Sequence, residues 1–121
     1  MRRVLAVLAL LVCTVGLAGC GGNDSGSGDG TDLTTKTIKI TISGDSVTPN
    51  GDRIPAQVDQ PIELVVVADA PGEIHVHSDP EHEFQYEAGT TTLPQFKIDK
   101  PGIITIESHT LEKTIVQLEV K

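Results

Sequence analysis

Hydrophobic positions fall into three regimes along the chain. Residues 4–17 form an almost unbroken apolar run behind Arg2 and Arg3, and residues 21–32 (GGNDSGSGDGTD) hold no apolar side chain. From residue 33 onward, short β-branched runs alternate with turn signals. Ile38, Ile40 and Ile42 alternate with Lys39 and Thr41, the period of two that marks a half-buried strand. Further runs occupy 62–67 (IELVVV), 73–77 (EIHVH), 95–98 (QFKI), 103–106 (IITI) and 114–120 (TIVQLEV). Between them stand Pro49-Asn50-Gly51-Asp52, Asp59-Gln60-Pro61, Ala70-Pro71-Gly72, Ala88-Gly89 and Lys100-Pro101-Gly102. No segment carries a sustained helical stripe. Residues 47–58 are irregular, and a single helical turn is expected near 108–113. The pattern predicts an all-β domain of about seven short strands, an antiparallel sandwich or barrel. Val65 reads as a core position, and Phe84 and Tyr86 share a face directed at the core.

The first regime has the layout of a secretory signal peptide: positive charge, an apolar stretch, and small residues at its end. Leu17-Ala18-Gly19-Cys20 resembles the lipobox of bacterial lipoproteins, in which a diacylglycerol is joined to the Cys thiol and the preceding segment is removed. The apolar run, interrupted by Thr14 and Gly16, falls short of the roughly 18 continuous residues a spanning helix needs. The expected organisation is therefore a signal peptide at 1–19, a lipidated Cys20 with a flexible tether at 20–32, and one domain at 33–121. Two acyl chains on one Cys suffice for stable membrane anchoring. A tether of this length reaches on the order of 20 Å.

Composition sharpens this picture in two respects. Without Arg2 and Arg3 the chain keeps seven basic residues against 17 acidic ones, a formal charge of −10. Such a surface repels nucleic-acid phosphates, so no nucleic-acid partner is expected. The two cysteines, Cys13 and Cys20, both precede the domain. Disulfides, zinc–thiolate sites and cysteine nucleophiles are thereby excluded from it.

From about residue 58 to 120 the order of elements resembles the cupredoxin-like family. The resemblance rests on Pro61-Ile62-Glu63-Leu64-Val65-Val66, on Gly72-Glu73-Ile74-His75-Val76-His77, on Pro101-Gly102-Ile103-Ile104-Thr105-Ile106, and on His109 just before the last strand. The chain is most similar to small bacterial lipoproteins of that family bearing a Glu-x-His-Val-His stretch. The resemblance implies a Greek-key β-sandwich in which His75 or His77 matches the first copper-binding His and His109 the second. Ser108 stands about where the family places its Cys, and the only methionine is Met1. A blue-copper electron-transfer site requires the thiolate, so that role is not expected.

A nitrogen-rich metal site is still compatible with the sequence. His75 and His77 leave one face of a strand while Ile74 and Val76 take the other. With His109 approaching, and His82 or Glu107 nearby, the donors suit Cu(II) or Zn. The acidic loop at 79–83 lacks the spacing of a dedicated calcium loop. Ser108 and His109, adjacent on a strand, point to opposite faces, and no Gly-x-Ser-x-Gly elbow is present. The expectation is thus a membrane-anchored extracytoplasmic binding domain without enzymatic activity, taking copper or zinc through His75, His77 and His109. The alternative is a metal-free module that docks an envelope protein. The anchoring reading predicts that Cys20→Ser blocks lipid attachment and cleavage, and that a secreted chain starting at Gly21 stays in the soluble fraction. Sedimentation of that secreted chain with partner-free membranes contradicts lipid as the only anchor.

Overall fold

In a computed structural model, residues 33–121 are described, and they form nine strands. In chain order these are β1 (Lys36–Ser43), β2 (Ser46–Thr48), β3 (Asp52–Ala56), β4 (Ile62–Ala68), β5 (Gly72–Val76), β6 (His82–Tyr86), β7 (Gly89–Thr92), β8 (Gly102–Ser108) and β9 (Lys113–Val120). A four-stranded sheet runs β2-β1-β4-β7 and a five-stranded sheet runs β3-β9-β8-β5-β6. No helix occurs among the described residues. The expected signal peptide, Cys20 and tether lie outside the described residues.

The alternation seen in the sequence is the alternation of burial. Ile38, Ile40 and Ile42 of β1 and Ile62, Leu64, Val66 and Ala68 of β4 face inward. They meet Ile74 and Val76 of β5, Ile106 of β8, and Ile115, Val116, Leu118 and Val120 of β9. Both Ile115 and Val116 are buried because the β8–β9 register shifts between Ile106 and Glu107, leaving Ile115 as an extra residue. Such a bulge lets two consecutive side chains serve the core and re-aims those beyond it.

Four features depart from the sequence-based expectation. Two ladders are parallel, β1 with β4 and β3 with β9, so both sheets are mixed where an antiparallel sandwich of about seven strands was expected. Residues 95–98 are not a strand: Phe96 alone bridges Ile62, exchanging both backbone hydrogen bonds, while Phe96 and Ile98 plug the core from an irregular segment. The segment at 108–113 is a four-residue hairpin loop rather than a helical turn. There Leu111 N donates to Ser108 Oγ, Glu112 N donates to His109 O, and Glu112 takes a left-handed φ of 51° that breaks helical continuation. Val65 is half-buried on the outer face of β4, because its neighbours Leu64 and Val66 take the core phase.

The face assignment in β4 carries a stability prediction. Leu64→Ala removes a fully buried side chain and is expected to cost about 2–5 kcal/mol, whereas Val65→Ala on the outer face costs about 1 kcal/mol or less. Urea unfolding of the two variants measures this. Equal losses contradict the assignment.

Candidate metal centre

The inward packing of Ile74 and Val76, both fully buried, forces Glu73, His75 and His77 onto the outer face of the five-stranded sheet. His77 lies one residue beyond β5, yet its N–H still donates to Thr105 O at 2.9 Å, so the strand direction persists. The two imidazoles are adjacent, with ring centroids 4.2 Å apart and planes tilted by 38°. Across the ladders, His75 pairs with Glu107 of β8 on one side and Glu83 of β6 on the other. The sheet therefore surrounds the histidines with carboxylates.

The loop at 78–81 supplies a further acid. Ser78 Oγ donates to Pro80 O, and the chain turns back so that Glu81 reaches over the histidine pair. Glu81 Oε2 lies 3.3 Å from His75 Nε2, and its Oε1 lies 3.9 Å from His77 Nδ1. One donor atom from each of His75, His77 and Glu81 falls within 4.8 Å of the others. Two ligands bonded at about 2.0–2.1 Å to a tetrahedral ion stand about 3.3–3.4 Å apart. The His75–Glu81 separation already matches that spacing. Asp79 of the same loop pairs with Lys100, just before β8, at 3.1 Å, and that hydrogen bond and charge raise the Lys100 pKa.

His109 opens the β8–β9 hairpin and is tied to the start of β5. Its N–H donates to Glu73 O, and Thr110 Oγ1 accepts from Glu73 N. Its ring centroid stands 6.3 Å from that of His75, with Nδ1 3.5 Å from Glu73 Oε1. Glu73 is itself held by Gln85, whose Nε2 donates to Glu73 Oε2. His75, His77, Glu107, Ser108, His109 and Glu112 line a shallow depression of about 310 Å³.

Beneath this face the floor is sealed. Ser108 is fully buried and points inward while His109 points out, so the two cannot act as a nucleophile and base pair. Burial pushes the Tyr86 phenol up in pKa; its hydrogen bond with Ser108 opposes that rise, and the charge of Asp69 adds to it. Tyr86 sits directly across the ladder from Gly72. Glycine is needed there because a β-carbon would collide with the Tyr86 hydroxyl and with Thr110 Oγ1. The aromatic ring thus fills the space that Gly72 leaves.

The structure gathers His75, His77 and Glu81 and places His109 at the margin of the same face. It separates His82 from them: that ring stacks on Phe84 and Phe96, with centroids 5.8 and 5.3 Å away, on the core side of β6. In the sequence Glu81 figures only as part of the acidic loop at 79–83, which lacks the spacing of a dedicated calcium loop. The signal that could have found it is its position four residues after His77, with Pro80 folding the chain back.

No protein-family model matches the chain, and no curated protein is similar to it at a significant level. Among solved structures, the domain is similar to a multi-copper oxidase from Pediococcus acidilactici, with a TM-score of 0.53 and 21% identity over 72% of this chain and 26% of that one. A laccase from Pediococcus acidilactici Pa5930 gives a TM-score of 0.55 at 21% identity, over 72% of this chain and 27% of that one. A third, another multicopper oxidase, gives 0.52 at 11% identity, over 71% of this chain and 44% of that one. The fold is a cupredoxin-like β-sandwich. The chain spans about a quarter of the first two oxidases. The expectation of a domain without enzymatic activity is corrected here, because these three structures that share the sandwich are oxidases and the fold does not set the chain apart from enzymes.

Whether the residues fit a blue-copper centre turns on sulfur. Both cysteines and the one methionine precede the domain. The residue at the end of β8 is Ser108, with its side chain turned into the core. A thiolate-based centre does not fit these residues. An imidazole and carboxylate donor set fits an ion that accepts nitrogen and oxygen ligands.

Proposed function

We propose that this domain binds a divalent transition-metal ion, Cu(II) or Zn(II), on the outer face of its five-stranded sheet. In this reading it is held at the extracytoplasmic side of a membrane by lipid on Cys20 and takes up metal there for storage or handover. The observation that carries the reading is the convergence of His75, His77 and Glu81 within 4.8 Å. His109 is the fourth donor, closing the site from the hairpin. Electrostatics favours a cation: Glu73, Glu81 and Glu107 each lie within 4 Å of an imidazole nitrogen. Imidazole nitrogens suit both copper and zinc, while the lack of sulfur disfavours Cu(I). The role proposed is not that of a blue-copper electron carrier, because the thiolate that such a centre requires is missing from the domain.

The test is a titration of the protein as isolated, in detergent, with Zn²⁺ and separately with Cu²⁺. One saturable site is expected, and at 100 times Kd the ion raises stability by about 2.7 kcal/mol through mass action. Binding weakens as pH falls through the ordinary imidazole range, since a protonated ring cannot ligate. His75→Ala and His77→Ala remove most of the metal-induced shift in Tm, and His109→Ala lowers it. His82→Ala lowers the metal-free Tm by loosening the Phe84 and Phe96 stack but leaves the shift intact. No saturable binding, or a shift that survives both His75→Ala and His77→Ala, overturns the proposal and favours the metal-free docking module.

A further inference from the structure

The two histidines of the His-x-His pair are not equivalent, and the neighbours of His77 identify which of its nitrogens is free. Glu107 Oε2 lies 2.9 Å from His77 Nε2, a hydrogen-bond distance. A carboxylate only accepts, so the proton of that bond resides on Nε2 and the lone pair of the neutral ring on Nδ1. That nitrogen is the one facing Glu81, 3.9 Å from its Oε1, too far for a hydrogen bond. His75 Nε2 donates to the other oxygen of the same carboxylate, at 3.3 Å.

The backbone accounts for this arrangement. In the β5–β8 ladder Glu107 is the direct partner of His75, not of His77. Its carboxylate nevertheless reaches along the sheet to the next outward position, the diagonal neighbour on that face. The register shift in β8–β9 falls between Ile106 and Glu107. The extra residue there is Ile115 of β9, so β8 keeps its alternation through Glu107 and the carboxylate stays on the outer face. Glu107 is also partly withdrawn from solvent, at 39% exposure against 40% for His77, which stiffens the pair relative to a fully solvated one.

We infer that Glu107 is a positioning residue that locks His77 in the Nε2–H form, so that the metal is taken by His77 through Nδ1, with His75 and Glu81 as the other donors. This rests on the metal-binding reading above. Carboxylates that accept the second ring proton of a ligating histidine fix its tautomer and orientation and strengthen its donor nitrogen. Glu107 stands in that relation to His77, although it touches no metal itself.

The experiment has two readouts on the full-length protein as isolated, labelled with ¹⁵N and held in detergent at about pH 8, above the ordinary imidazole range. Long-range ¹H–¹⁵N correlation of the metal-free protein reports the tautomer of His77. Titration with Zn²⁺ alone reports affinity. The expected result is His77 protonated at Nε2, and a loss of zinc affinity of about 10–100-fold in Glu107→Ala with the fold intact by circular dichroism. Glu107→Gln, whose carbonyl still accepts from Nε2, keeps the tautomer and most of the affinity. His77 protonated at Nδ1 in the unsubstituted protein, or zinc bound equally well by Glu107→Ala, overturns the inference. If the unsubstituted protein binds no zinc while His77 is in the Nε2–H form, the metal reading fails and the orientation of His77 by Glu107 stands.

Discussion

The withdrawal of Ile74 and Val76 from water is the constraint on which the histidine face depends. A strand has a period of two, so filling the core with these two side chains leaves His75 and His77 no direction but outward. Slipping β5 by one residue would bury two imidazoles and expose two aliphatic side chains, with a cost set by both polar burial and lost apolar burial. Register in β5 is therefore firmly specified. It is reinforced on both sides, by β6 and by β8, whose partner residues Phe84 and Ile106 are also directed at the core.

From this register the chemistry of the face follows. Outward positions around the pair include Glu73, His75 and His77 along β5 and just beyond it, Glu83 and Gln85 of β6, and Thr105 and Glu107 of β8, and the loop after β5 adds Glu81. Imidazoles set among carboxylates form a surface that stabilises a cation and holds ring nitrogens in fixed directions. The same neighbours explain why the histidines differ in role. His75 and His77 share Glu81, His77 is also held by Glu107, and His109 answers to Glu73 on a separate hairpin. The inner side of the sheet contributes only support, through Ser108 and Tyr86 and the close approach that Gly72 permits.

Much of this was legible in the sequence wherever a strand has one dry and one wet face. The alternation of Ile38, Ile40 and Ile42 gives β1, and Glu73-Ile74-His75-Val76-His77 gives both β5 and the outward pair. Edges were not legible. β2 and β7 are three and four residues long, and β7 is Gly-Thr-Thr-Thr, with no buried side chain to set a phase. β3 contains Pro55 and is defined by its parallel pairing with β9, a long-range contact that local pattern cannot reveal. In β4, where every residue from 64 to 67 is apolar, the sequence carries no phase, and Val65 was assigned to the core that Leu64 and Val66 fill. Glu81 escaped for a related reason: its place at the site comes from how a loop folds back, which neither period nor spacing encodes.

The central claim is that two imidazoles and a carboxylate on this face hold a divalent ion without help from sulfur. X-ray absorption at the zinc edge of the zinc-loaded protein tests it most directly. The account predicts a shell of nitrogen and oxygen at about 2.0–2.1 Å, with the outer-shell scattering of at least two imidazoles and no sulfur at about 2.3 Å. A shell of oxygen alone without imidazole scattering, or a sulfur ligand, would contradict it.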